Sequence, residues 1–177
     1  MPVSATEALA PAVTSAIDRK ALRVLRAACA QRRTLATAES CTGGLLASLL
    51  TDVPGCSHAF ERGFVAYSET AKIELLGVPA RMLEDEGAVS QPVAAAMARG
   101  TLRSSEADIT LSITGYAEAP PEDPDAIAGL VHFAGATREG GLTTHVEFYG
   151  DIGRAAVRLA CLETGLDMLA RALEIRA

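Results

Sequence analysis

The sequence predicts an α/β fold, a mixed sheet covered by helices on both faces, and three observations carry that prediction. Short β-prone runs alternate with segments of helical periodicity along the first part of the chain. Residues 108 to 114 alternate apolar and polar side chains as a strand does. Two further β-prone runs near the C-terminus are joined by a hairpin signal, which requires antiparallel as well as parallel pairing.

The 177-residue length suits one domain with its own core, and the 49% hydrophobic fraction is carried by Ala, Leu and Val more than by aromatics, as helices packed closely on a sheet require. Residues 1–17, rich in Ala, Ser and Pro, read as an N-terminal extension, either loose or a short helix broken near Pro11. Residues 18–177 read as the single domain. From Asp18 to about Arg33, Leu22, Leu25, Ala28 and Cys29 recur at helical spacing, and Arg32 and Arg33 suit the negative end of a helix.

Residues 34 to 38 form a short β-prone run, residues 39 to 44 turn the chain, and Leu45, Leu46, Leu49 and Leu50 begin a helix that Asp52-Val53-Pro54-Gly55 breaks. Residues 60 to 67 read as the next strand. Ser68 is placed to cap a helix carrying Ile73, Leu75 and Leu76, with Gly77 at its end. Pro79 opens a short helical turn, and Ser90 caps a longer helix whose Val93, Ala94, Met97, Ala98, Thr101 and Leu102 share a face. In the strand over 108–114, Ile109, Leu111 and Ile113 alternate with Thr110, Ser112 and Thr114, predicting one buried face and one partly polar face, and Gly115 ends it. Residues 116 to 126 hold three prolines and four acids and read as loop. Residues 128–136 and 142–149 are strands joined through Thr137-Arg138-Glu139-Gly140-Gly141. From Arg154 onward Val157, Cys161, Leu162, Leu166, Leu169 and Leu173 mark a closing helix.

Sixteen Lys plus Arg against 22 Asp plus Glu give a net charge of −6, which argues against a nucleic-acid partner. The apolar runs are too short to span a membrane, and residues 1–18 lack the basic start and apolar stretch of a secretory signal, so the expected setting is the cytoplasm, with no membrane partner. Cys29, Cys41, Cys56 and Cys161 show no metal-knuckle or redox spacing and read as reduced thiols. No histidine stands in a metal-binding pattern, and no metal or other cofactor is expected; His132 and His145, facing each other across the hairpin, would supply two ligands with no third in view.

The chemistry gathers at the turn Glu39-Ser40-Cys41-Thr42-Gly43-Gly44. A turn leading into a helix N-terminus offers backbone N–H groups, and the two glycines admit polar atoms close to the chain, so it can hold an anion or a developing oxyanion around Ser40. The same pattern also reads as an ordinary N-cap by Ser40 or Thr42. Cys41 is a second possible nucleophile, ranked below Ser40. For a base, Tyr67 at a strand end and Lys72 early in the following helix can reach one cleft, and a lysine of lowered pKa can accept a serine proton. By spacing alone Lys72 reads equally as a solvated helix residue. Thr114-Gly115 ends a strand where ligand sites in α/β sheets gather, or is a plain turn. Arg154 and Arg158, four apart on the last helix, either clamp a phosphate or are solvated.

Thr37-Ala38-Glu39-Ser40-Cys41-Thr42-Gly43-Gly44, Val65-Ala66-Tyr67-Ser68, Ala71-Lys72-Ile73, Leu75-Leu76-Gly77-Val78, Gly87-Ala88-Val89-Ser90 and Ile113-Thr114-Gly115 together resemble the CinA C-terminal domain family, from about Leu22 to Leu173. The resemblance implies a three-layer α/β/α sandwich, often dimeric, and metal-independent hydrolysis of the carboxamide of nicotinamide mononucleotide to nicotinate mononucleotide and ammonia. It makes Ser40 the nucleophile, with Tyr67 and Lys72 as the proton-transfer pair. Substrate contacts fall to Cys41, Thr42, Gly43, Gly44, Thr114, Gly115 and Arg154. The chain departs from the family in two places. The glycine-rich loop usual after Thr-Gly is replaced by Tyr116-Ala117-Glu118-Ala119-Pro120-Pro121-Glu122-Asp123-Pro124, adding bulk and negative charge. The segment before the last helix reads Gly150-Asp151-Ile152-Gly153-Arg154, two residues longer than the usual Gly-Asp-Arg.

Overall fold

The computed structural model describes residues 14–119 and 126–175. Residues 1–13 of the expected extension and 120–125 of the expected loop lie outside the described residues. Five strands form one mixed sheet: β1 (Leu35–Glu39), β2 (Phe60–Val65), β3 (Ile109–Gly115), β4 (Leu130–Thr137) and β5 (Leu142–Phe148), in the order β2-β1-β3-β4-β5. Strand β1 pairs parallel with both β2 and β3, while β3-β4-β5 is an antiparallel run.

Helices α1 (Ser15–Gln31), α2 (Leu45–Thr51) and α6 (Arg154–Ala172) cover one face, where Leu35, Ile109, Leu111, Ile113, Val131 and Phe133 meet Val24, Leu25, Leu46, Leu162 and Leu166. Helices α3 (Glu69–Leu76), α4 (Ala80–Glu86) and α5 (Gln91–Arg103) cover the other, over Ala38, Ala134 and Ala136. The expected three-layer α/β/α sandwich is the observed one.

Helix α1 starts at Ser15, three residues before the predicted start, because the Thr14 hydroxyl accepts the Ile17 N–H and Ile17 itself is core. The caps predicted at Ser68 and Ser90 are present, each hydroxyl accepting an N–H three residues on. Gly77 ends α3 at φ 63°, a left-handed conformation that glycine adopts without strain.

Strand β3 differs from its reading in one respect: both faces are buried. The Ser112 and Thr110 hydroxyls donate to the α5 carbonyls of Ala94 (2.7 Å) and Ala98 (2.9 Å). Those bonds satisfy the polar face without water, and the alanines let α5 sit close enough to receive them. The two histidines of the hairpin also differ from expectation, for His145 is in register with Phe133 and His132 with Val146. Adjacent residues on one strand point to opposite faces, so the two imidazoles lie on opposite sides of the sheet.

Candidate active site

The parallel part of the sheet sends its carboxyl ends to one edge of the molecule, where β1 delivers Ser40, β2 delivers Tyr67 and β3 delivers Thr114 and Gly115. Strand order diverges there, with β2 on one side of β1 and β3 on the other, the position at which open α/β sheets form a crevice. A cleft of about 250 Å3 occupies it, lined by Ser40, Cys41, Tyr67, Lys72, Thr114 and Arg154, with Ala88, Val89 and residues 115–118 completing the wall. Another groove, about 360 Å3, lies against β3, β4, β5 and the end of α6, but of its lining only His145 and Arg171 are ionisable. The chemistry therefore belongs to the cleft.

Lys72 is 1% exposed and sits on α3 with its Nζ donating to Ser40 Oγ at 3.1 Å, to the Ala66 carbonyl at 3.1 Å and to the Tyr67 carbonyl at 3.2 Å. The solvated reading of Lys72 is thus excluded. Burial pulls its ammonium below the ordinary lysine value, while Cys41 and then Glu69 hold it partly back. Ser40, 7% exposed, is reached from the cleft. Tyr67 is exposed, and its hydroxyl accepts from Arg154 Nη2 at 3.3 Å. The Thr114 hydroxyl donates to the Ala88 carbonyl at 2.8 Å, tying the end of β3 to the residues before α5.

The turn after β1 is held by Glu39, whose part in it the sequence reading missed. Its carboxylate is fully buried and accepts the N–H groups of Leu46 (3.0 Å) and Ala47 (2.8 Å), as well as the Thr37 hydroxyl at 3.3 Å. Glu39, and neither Ser40 nor Thr42, is therefore the cap of α2, and the positive end of that helix is already neutralised. What remains for an anion are the N–H groups of Cys41 and Thr42, which make no hydrogen bond to another residue among the described ones. Gly43 and Gly44, at φ 62° and 87°, supply the bend. They and Thr42 lie outside the cleft lining, whereas Cys41, Thr114, Gly115 and Arg154 belong to it. Arg158, expected either to clamp a phosphate with Arg154 or to be solvated, instead donates to the Thr42 carbonyl at 2.8 Å and does not line the cleft. Glu118, on the altered loop, is exposed and lines the cleft. Among the described residues no group of three or more His, Cys, Asp or Glu could hold a metal ion, and no helix is long and apolar enough to cross a membrane.

Fold and site together define a three-layer α/β/α domain with a serine–lysine pair at the carboxyl ends of its parallel strands. The CinA C-terminal domain model matches residues 17–173. The chain is 46% identical over 130 residues to the nicotinamide-nucleotide amidohydrolase PncC of Escherichia coli K12, covering 73% of this chain and 78% of that protein. It is also 46% identical over 143 residues to a CinA-like protein of Geotalea daltonii, covering 81% of this chain and 34% of the relative. The crystal structure of the competence/damage inducible protein CihA from Agrobacterium tumefaciens superposes with a TM-score of 0.86 at 40% identity, covering 91% of this chain and 97% of that one. A CinA-superfamily structure from Escherichia coli gives a TM-score of 0.82 at 33% identity, covering 94% of each chain. This chain belongs to the CinA C-terminal domain family. It spans 26–34% of the length of several longer relatives named CinA-like or competence-damage inducible.

Proposed function

We propose that the protein hydrolyses the carboxamide of nicotinamide mononucleotide, releasing ammonia and nicotinate mononucleotide. The observation that carries this reading is the 3.1 Å contact between a buried lysine amine and the Ser40 hydroxyl at the floor of the cleft. In its neutral form Lys72 takes the Ser40 proton as Oγ attacks the amide carbon. The N–H group of Cys41, the cleft residue after the nucleophile, receives the oxyanion, as the corresponding residue does in other acyl-transfer enzymes. The lysine then returns the proton to the departing ammonia, and water, deprotonated by the same amine, cleaves the acyl-serine to the acid. Tyr67, hydrogen-bonded to Arg154, orients the amide, and Arg154 supplies the cation for the phosphate. The name of the E. coli relative supports the substrate class.

Ammonia release from nicotinamide mononucleotide tests the reading, with Ser40→Ala and Lys72→Ala assayed beside the parent protein. Both variants are expected to lose about a thousandfold or more in kcat, with thermal melts showing that each remains folded. Full activity in Ser40→Ala would remove the serine from the mechanism. Glu118 in the cleft wall favours a second reading, an amidase for a small amide without a phosphate, since a carboxylate repels an anionic substrate. Ammonia released from uncharged pyridine carboxamides, with none from the mononucleotide, would select that reading.

A further inference from the structure

We propose that Arg158 is a positioning residue for the nucleophile turn, aiming the Cys41 N–H at the oxyanion through two linked peptide units. It lies on α6 one turn beyond Arg154 and does not line the cleft. Its Nη2 donates to the Thr42 carbonyl at 2.8 Å, and a Cβ added to Gly43 would meet the same nitrogen at 3.5 Å, so the guanidinium rests against the turn itself. The Leu45 N–H also reaches this carbonyl, at 3.3 Å, but the shorter bond from a charged donor is the stronger of the two.

A peptide unit is planar, so fixing its carbonyl fixes its N–H as well. The unit that carries the Thr42 carbonyl also carries the Gly43 N–H, which donates to the Ser40 carbonyl at 3.0 Å. The Ser40 carbonyl in turn shares a unit with the Cys41 N–H, which receives the oxyanion and makes no hydrogen bond to another residue among the described ones. Direction therefore passes from the arginine to the Thr42-Gly43 unit, across one hydrogen bond to the Ser40-Cys41 unit, and so to the oxyanion donor. Without the arginine the first unit is held by two neutral bonds alone, and Gly43, at φ 62°, tolerates either sign of φ and lets the unit turn over. The anchor is firm, since Val157, Leu162 and Leu166 of α6 are buried in one core with Leu111 and Ile113 of β3. An oxyanion donor turned away costs about a hundredfold or more in kcat, whereas the substrate contacts, made by other residues, stay in place.

The effect on ammonia release rests on the amidase reading but the effect on Ser40 does not, so two readouts are taken on Arg158→Met and Arg158→Lys, each variant checked by thermal melt. The first is steady-state ammonia release from nicotinamide mononucleotide. Arg158→Met should lower kcat about a hundredfold with KM within about threefold of the parent, and Arg158→Lys, which keeps a cation for the carbonyl, should recover about tenfold of that loss. The second is phosphonylation by a fluorophosphonate, read at Ser40 by mass spectrometry. Oγ bonds to phosphorus, the P–F bond breaks, fluoride leaves, and the hydroxyl proton passes to Lys72. The phosphoryl oxygen draws on the same Cys41 N–H, so labelling should slow by a similar factor in Arg158→Met. A kcat within about threefold of the parent in Arg158→Met, a rise in KM that accounts for the loss, or a lysine variant no better than the methionine one would each overturn the proposal. Should Arg158→Met fail to fold, Arg158→Lys decides alone: a fall of about tenfold in kcat at unchanged KM supports the positioning, and an unchanged kcat overturns it. A parent that releases no ammonia yet is labelled at Ser40, with labelling slowed in the variants, would support the positioning and count against the amidase reading instead. Labelling at equal rates in the parent and both variants, or no labelling of the parent at all, would overturn the positioning whatever the substrate.

Discussion

Two residues, Lys72 on α3 and Glu39 at the turn after β1, set the terms on which the candidate site works. Lys72 must be neutral to act as a base, and burial holds its pKa below the ordinary 10.5. On the acid side of the lowered value the amine is protonated, so kcat/KM should rise about tenfold per pH unit and level off once the amine is neutral. A pH profile of ammonia release is expected to show this single rising limb, with its bend below 10.5. A flat profile from pH 6 to 10 would mean that another group takes the serine proton. Glu39 makes a claim on stability instead. Removing its carboxylate strands the buried Leu46 N–H and the part-buried Ala47 N–H at the head of α2, so Glu39→Ala is expected to cost about 2–3 kcal/mol in urea unfolding, with Glu39→Gln costing less because one acceptor oxygen remains. Ser40, Tyr67, Lys72 and Thr114 were legible from their motifs. The burial of Lys72 was not, since helical spacing alone allows a solvated lysine, nor were the parts of Glu39 and Arg158, which act on the backbone of elements met only after folding.

At the scale of elements, the site depends on how closely α5 crosses α3, the helix that carries Lys72. A Cβ on Gly100 would stand 2.0 Å from the Leu76 carbonyl oxygen and 2.9 Å from its carbon. Helix propensity favours Gly100→Ala by about 1 kcal/mol, whereas overpacking against a fixed backbone costs about 1–3 kcal/mol or more. At 2.0 Å the overlap wins, because a carbonyl oxygen cannot rotate away as a side-chain end can. A net loss of about 1–2 kcal/mol is expected, together with a fall in kcat as α3 shifts Lys72 from Ser40; a stability gain in denaturant titration would show that α3 and α5 do not cross so tightly. Periodicity marked α1, α5 and α6 because each buries a stripe, whereas the short α4 was marked by Pro79. It misjudged β3, whose Thr110 and Ser112 look like solvent-facing residues by pattern and are instead satisfied by carbonyls of α5. Hydroxyl side chains carry that ambiguity, since a strand pattern cannot tell water from a helix backbone as the acceptor.

For the whole molecule the order β2-β1-β3-β4-β5 decides where rigidity lies, and that order was not legible, because strand pairing is a long-range property that no local pattern encodes. Strand β3 is bonded on both sides and covered on both faces, whereas β5 is an edge with Val146 49% and Phe148 65% exposed, and β2 is the opposite edge with Val65 51% exposed. Native-state hydrogen exchange should therefore find the amides of Ile109–Gly115 slowest, opening only with global unfolding, and those of Leu142–Phe148 that face outward exchanging by local fraying. The same gradient runs through the site. Ser40 and Thr114 stand at the ends of the inner strands, while Tyr67 and Lys72 hang from the β2 edge, so saturating mononucleotide should add most protection over residues 66 to 72 and little over β3. Protection added evenly across the sheet would mean that the ligand stabilises the fold as one unit, and that the lysine side of the cleft is already as fixed as the serine side before substrate arrives.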